Sequence, residues 1–130
     1  MASIFTKIIN REIPGYIVAE DERYIAFLDI NPLVTGHTLV VPKIEVDYVF
    51  DLDDETLTGL YLFSKKVALA IGKSIPCLRV GVAVIGLEVP HTHVHLVPMN
   101  SMDDLNFTRS KLKLSREELT AAAEKIRKAM

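Results

Sequence analysis

Residues 89–98 read VPHTHVHLVP, with His91, His93 and His95 at every second position between Pro90 and Pro98. On a β-strand, residues i, i+2 and i+4 share a face, so the imidazoles line one side while Thr92, Val94 and Leu96 line the other. Valine and leucine make that other face the core side and turn the histidines toward a cleft or solvent. The spacing predicts a two-faced strand with its chemistry on one side only.

More strands precede it. YIVAED and YIAFLDI are rich in β-branched and aromatic residues, and the acidic EDER between them reads as a hairpin turn. NPLVTG, with Pro32 and Gly36, is a loop that delivers His37 to the start of HTLVVP, giving an antiparallel meander. LRVGVAVIGLEV is apolar nearly throughout, which predicts a central strand, with Gly86 as a turn or bulge. Elsewhere the period is helical. SIFTKII makes a short helix with Ile4, Phe5, Ile8 and Ile9 toward a core. From Asp53 to about Lys73, Leu57, Leu60, Ser64, Val67 and Ile71 form one stripe, with Asp51 or Asp53 to cap it. Leu62, Phe63, Leu69 and Ala70 widen that stripe, which predicts burial on two sides, the second of which another subunit could supply. SREEL has capping-box spacing ahead of a helix over about 115–128 that faces inward through Leu119, Ala122, Ala123 and Ile126. About five strands and two substantial helices predict an α+β fold.

Charge and composition narrow the partners. Fifteen basic residues against seventeen acidic ones, with no basic run longer than Lys65-Lys66, exclude a nucleic-acid polymer but not a small anionic ligand. The lone Cys77 makes no internal disulfide and fits a reducing compartment. MASIFTKIINRE is broken by Lys7, Asn10 and Arg11 before it reaches signal-peptide length, and no run approaches the roughly 18 apolar residues of a membrane span. One soluble, cytoplasmic domain over 1–130 is expected.

Three ligands for one ion is a poor reading of the histidine row. On a regular strand the outer Cβ atoms stand about 13 Å apart, whereas an imidazole plus its metal bond reaches only about 5.5 Å. Two of the histidines with His37 or a carboxylate could hold a metal, and that reading stays open. Phosphate chemistry suits the row better. A histidine near its reference pKa of about 6.5 is largely neutral at pH 7 and can attack phosphorus through one ring nitrogen while the other donates to a backbone carbonyl. A nucleophile flanked by donors along the strand assigns the attack to His93, the middle position.

His-x-His-x-His, together with Asp-x-x-Pro…Gly-His-x-Leu-Val-x-Pro-Lys over Asp29 to Lys43, resembles the histidine triad (HIT) nucleotide-binding superfamily from about Ser3 to Pro98. The resemblance implies a HIT-like fold: a five-stranded antiparallel sheet with one long helix and a C-terminal helix, the sheets joined across a homodimer. It implies a core over about 3–100, with 101–130 as an extension. It further implies hydrolysis or transfer of nucleotidyl groups through a covalent nucleotidyl-histidine, on adenosine phosphoramidates, dinucleoside polyphosphates or nucleotidyl adducts. By the same resemblance His93 is the nucleophile, His91 orients it, and His95 and His37 contact the phosphate. Asp29 would bond the ribose hydroxyls, and Phe5, Ile8, Phe27, Ile30 and Leu39 would surround a purine base. Composition alone reads Phe5, Ile8 and Leu39 as core.

The chain departs from the family pattern in several places. Ser3 and Thr6 stand where many members have the Cys-x-x-Cys of a structural zinc, so no cofactor is expected, and Glu45 replaces the histidine after Pro-Lys. Val82, Ala83 and Val84, then Leu87 and Glu88, occupy positions where the family places carboxamides and a hydroxyl. A carboxylate there raises the electrostatic cost of a phosphate unless it is protonated, turned away or paired. The segment after the triad, VPMNSMDDLNF, lacks the Gly-Gly-Arg of the Hint branch. Three functions follow in order: a hydrolase or transferase using His93, a purine-nucleotide-binding module with little turnover, and a metal-dependent hydrolase using two triad histidines and His37.

Overall fold

The hairpin turn is set by Asp21, whose carboxylate accepts the backbone N–H groups of Arg23 and Tyr24, both at 2.8 Å. It joins β1 (Ile17–Glu20) to β2 (Tyr24–Leu28) in a computed structural model that describes residues 2–130. With β3 (Thr38–Pro42), β4 (Arg79–Ala83) and β5 (Val94–Met99) these strands form one antiparallel sheet in the order β1-β2-β3-β5-β4. α1 covers Ile4–Ile9, α2 Asp54–Ser74 and α3 Arg116–Ala129. The expected α+β fold, a five-stranded antiparallel sheet with helices, is therefore observed.

The period-two pattern of the strands builds a core on each face. Ala26, Leu28, Val40, Val94 and Leu96 point to the side covered by α2 and α3. There α2 contributes Leu60, Val67 and Ile71, and α3 contributes Leu119, Ala122, Ala123 and Ile126, in agreement with the sequence stripes. Asp53, not Asp51, caps α2 by accepting the Thr56 N–H at 2.7 Å, and Ser115 with Glu118 closes the capping box of α3. On the opposite face α1 lays Phe5 and Ile8 against Ile25, Phe27, Leu39 and Val41.

Three expectations need correction. Ile4 is exposed, because a helix of six residues turns only Phe5 and Ile8 squarely onto the sheet, with Ile9 at the margin. The apolar run 78–89 is not a central strand: β5 takes the central place and pairs with both β3 and β4, which leaves β4 at the edge with Leu78 and Val82 exposed. The run leaves the sheet after Ala83, and Gly86, with φ +81, makes the turn expected of it. The histidines do not all lie on a regular strand either, since β5 begins at Val94 and only His95 belongs to it. Leu62 and Leu69 of α2 are exposed in the single chain, so the second side of that helix lies open within it. Among the described residues no helix is long and apolar enough to cross a membrane.

Candidate active site

Gly36, at φ +95, turns the chain tightly before β3, where an added Cβ would press on Ile75 and Pro98 at 3.1 and 3.3 Å. That turn places the His37 ring under the 29–33 loop. Its Nδ1 accepts the buried Leu33 N–H at 3.0 Å, so the ring's proton sits on Nε2. The Nε2–H in turn donates to His95 Nδ1 at 3.0 Å, which puts the His95 proton on Nε2, free for a ligand. Burial, the largest cause, holds His37 down to about 3 and His95 to about 4, so both rings are neutral at pH 7. With both nitrogens occupied, His37 does not have the free donor expected of a phosphate contact. It stands behind His95 and orients it.

His93 is set by a shorter device. Its Nδ1–H donates to the backbone carbonyl of His91 at 2.8 Å, because a carbonyl only accepts, and Nε2 of the neutral ring is left with a lone pair. Its ring lies edge-on to Phe5 (4.9 Å) and to His95 (4.8 Å).

His91 is pinned from both ends. Its Nε2–H donates to the Pro42 carbonyl and its Nδ1 accepts the Ser3 hydroxyl, each at 2.8 Å. Burial lowers its pKa, against a smaller opposing pull from the Pro42 bond. Ser3 and Thr6, the two N-terminal departures, are held by the third, Glu45. One Glu45 oxygen accepts the Ser3 N–H at 2.8 Å and the Thr6 hydroxyl at 2.5 Å. Those bonds, led by Thr6, bring the Glu45 pKa down to about 2. The same oxygen lies 3.9 Å from His91 Nδ1, but a neutral His91 forms no ion pair there. The sequence marked these residues as substitutions without showing that they interlock.

All four histidines are at most 8 % exposed, so of the two expected surroundings, cleft or solvent, open solvent does not apply to the triad. Phe5, Ile8, Phe27 and Leu39 do come together beside it, as part of the second core. Ile30 does not join them: it is 57 % exposed, because β2 ends at Leu28 and the chain turns away over Asp29 and Asn31. Asp29 Oδ1 accepts the Asn31 N–H at 2.9 Å, Oδ2 lies 3.8 Å from His37 Nε2, and burial raises its pKa. Glu88 is exposed and makes no ion pair among the described residues, so water screens its charge.

One site residue had no sequence signal. Phe107, in the segment after β5, packs edge-on against His95 at 4.7 Å and His37 at 6.3 Å. The segment is tied down by Arg109, which donates to the Leu33 carbonyl at 2.6 Å, and by the Leu112 N–H to the Pro32 carbonyl at 2.8 Å.

Asp29, His37 and His95 bring one ligand atom each within 4.8 Å of one another, a spacing that raises the question of a metal. To bind through Nε2, His37 would have to move its proton to Nδ1, where the buried Leu33 N–H already points. Two donors would then face each other and the amide would lose its partner, at a cost of about 1–3 kcal/mol. The residues present do not fit an ion in this arrangement.

Comparison with known proteins matches the HIT domain family over residues 10–102. An uncharacterized HIT-like protein of Borreliella burgdorferi is 39% identical over 123 residues, 88% of each chain. Adenosine 5'-monophosphoramidase hnt1 of Schizosaccharomyces pombe is 34% identical over 128 residues, covering 97% of this chain and 96% of its own. Among solved structures, a Hit-like protein of Bartonella henselae superposes with a TM-score of 0.85 at 34% identity, over 98% of this chain and 96% of its own.

Proposed function

The chain belongs to the HIT domain family, and from that premise we propose that it is a nucleotide hydrolase or nucleotidyl transferase in which His93 attacks the phosphorus of a purine nucleotide. The observation that carries the reading is the fixed His93 tautomer: with Nδ1–H held by the His91 carbonyl, Nε2 keeps its lone pair. His95 Nε2–H is a donor for a phosphoryl oxygen, oriented through His37 and Leu33. Asp29 has acceptor capacity left for ribose hydroxyls. The base rests on the edge of the Phe5, Ile8, Phe27 and Leu39 cluster, and Ile30 is left out of that contact. No metal is given a part, a choice supported by the Leu33 amide that faces His37.

The S. pombe relative is named an adenosine 5'-monophosphoramidase, and adenosine 5'-phosphoramidate is accordingly the first substrate to try. AMP release by the native protein should exceed that by His93→Ala by about 1000-fold or more, the scale of loss when a nucleophile is removed. Equal, background-level release by both would remove the enzyme. A second reading is favoured by Leu87 and Val82–Val84, which supply no polar group beside the triad: a binding module with little turnover. In that case AMP raises the melting temperature of the native protein while no product forms.

A further inference from the structure

The Leu33 amide governs two ring tautomers at once. Its N–H meets His37 Nδ1 at 3.0 Å, and the proton this leaves on His37 Nε2 meets His95 Nδ1 at 3.0 Å. With that amide turned away the order could reverse: His37 would hold its proton on Nδ1, its bare Nε2 would accept from His95 Nδ1, and His95 Nε2 would carry a lone pair. A phosphoryl oxygen would then meet a lone pair instead of a donor. The direction of one buried amide therefore decides what His95 offers a ligand.

What holds the amide comes from the segment after β5. The Leu33 N–H and the Pro32 carbonyl belong to one planar peptide and point to opposite sides of it. That carbonyl accepts the Leu112 N–H at 2.8 Å. Leu112, the Pro32–Leu33 peptide, His37 and His95 thus form a head-to-tail run of hydrogen bonds in which each bond polarises the next. The next carbonyl, that of Leu33, accepts from Arg109 Nη2 at 2.6 Å. The other arm of the guanidinium, Nη1, donates to the carboxylates of Asp103 (3.1 Å) and Asp104 (3.3 Å) in the short 3-10 turn Met102–Leu105. Among the described residues no other donor bonds the Pro32 or the Leu33 carbonyl. Arg109 and Leu112 both lie beyond residues 10–102, the stretch that matches the HIT domain family.

We propose that Arg109 is a positioning residue: by clamping Leu33 to the Met102–Leu105 turn it seats the Leu112 N–H on the Pro32 carbonyl and so keeps the His95 proton on Nε2. This rests on the reading of His95 as the phosphoryl donor given above. Arg109 itself makes no hydrogen bond to either imidazole and acts only through the loop.

Side-chain 1H–15N NMR at pH 7 separates a protonated ring nitrogen from a bare one, and the native protein should show a single tautomer at His37 and at His95. Arg109→Met, which keeps most of the side chain and none of its donors, should turn both into mixtures while His91 and His93 keep theirs. Arg109→Lys retains a cation and a donor for Leu33 and should restore the single tautomers. Leu112→Pro deletes the other N–H and should act as Arg109→Met does, which carries the test if Arg109→Met does not fold. Arg127→Met removes a comparable bond, to the Ile17 carbonyl at 2.6 Å, and controls for general loosening. In AMP release from adenosine 5'-phosphoramidate, Arg109→Met should lower kcat about tenfold and leave KM within about twofold. Unchanged rings in Arg109→Met and Leu112→Pro overturn the proposal. So does the same disturbance in Arg127→Met, or full kcat alongside mixed tautomers. Mixed tautomers in the variants of a protein that releases no AMP in its native form support the clamp and overturn the His93 reading instead.

Discussion

The two neutral imidazoles His37 and His95 have a measurable consequence. Both are held by burial far below the value of about 6.5 that an unfolded chain would show, to about 3 and about 4. The unfolded chain therefore binds protons at a pH where the folded one does not, and stability falls as pH falls. The loss begins near pH 6.5 and ends only when the folded rings titrate, near pH 4 and pH 3. Each ring contributes a slope of up to about 1.4 kcal/mol per pH unit, and His91, also lowered by burial, adds to it. Urea unfolding between pH 7 and pH 4 should show this decline, and a pH-independent midpoint would mean that the rings are already charged in the folded protein. The residue types at this site were legible from spacing, and the row itself points to the middle histidine as the proposed nucleophile. The roles of its neighbours were not. Whether His37 meets phosphate or another side chain depends on Leu33 and His95, and the second of these is 58 residues away.

The long helix α2 shows how one element carries both local and tertiary instructions. Its glycines Gly59 and Gly72 are equally poor helix formers, so propensity alone predicts that alanine at either would stabilise by about 1 kcal/mol. The packing separates them. A Cβ at Gly72 meets nothing within 4 Å, whereas at Gly59 it collides with the hydroxyl of Tyr24, itself fixed by donation to the Thr56 carbonyl at 2.9 Å. Gly72→Ala should raise the free energy of unfolding by about 0.5–1 kcal/mol, and Gly59→Ala should lower it by about 1–3 kcal/mol. Denaturant titration of the two variants checks the pair, and a shared sign would contradict the close approach of Tyr24. Helix stripes, caps and the hairpin were readable because each is set by residues within a few positions of one another. The place of the 79–83 strand was not, since an apolar strand reads alike whether its neighbours lie on one side or both.

At the scale of the whole molecule, α2 and the β4 edge share one stretch of exposed apolar surface, through Leu62, Leu69, Leu78 and Val82. An unpaired edge strand next to an apolar helix face is a surface that a second copy of the chain can cover. Sedimentation should give a species of twice 14.5 kDa, and Leu62→Glu with Leu69→Glu should return it to the monomer while leaving the circular dichroism unchanged. A native protein that sediments at the monomer mass at micromolar concentration would remove the homodimer. Compaction of the single chain also carries Phe107 onto His95, and Ser3 onto His91 across 88 residues.

The α+β class, the helices with their caps, the hairpin and the histidine row follow from local pattern alone, because period and capping depend on nearest neighbours along the chain. The same pattern also sets the residue types available for phosphate chemistry. Long-range packing sets which strand lies at the edge, that Ile30 turns outward, that Phe107 packs on His95, and which nitrogen of each imidazole holds its proton. A ring nitrogen is donor or acceptor according to the group facing it, and for His37, His91 and His95 that group comes from another element of the fold.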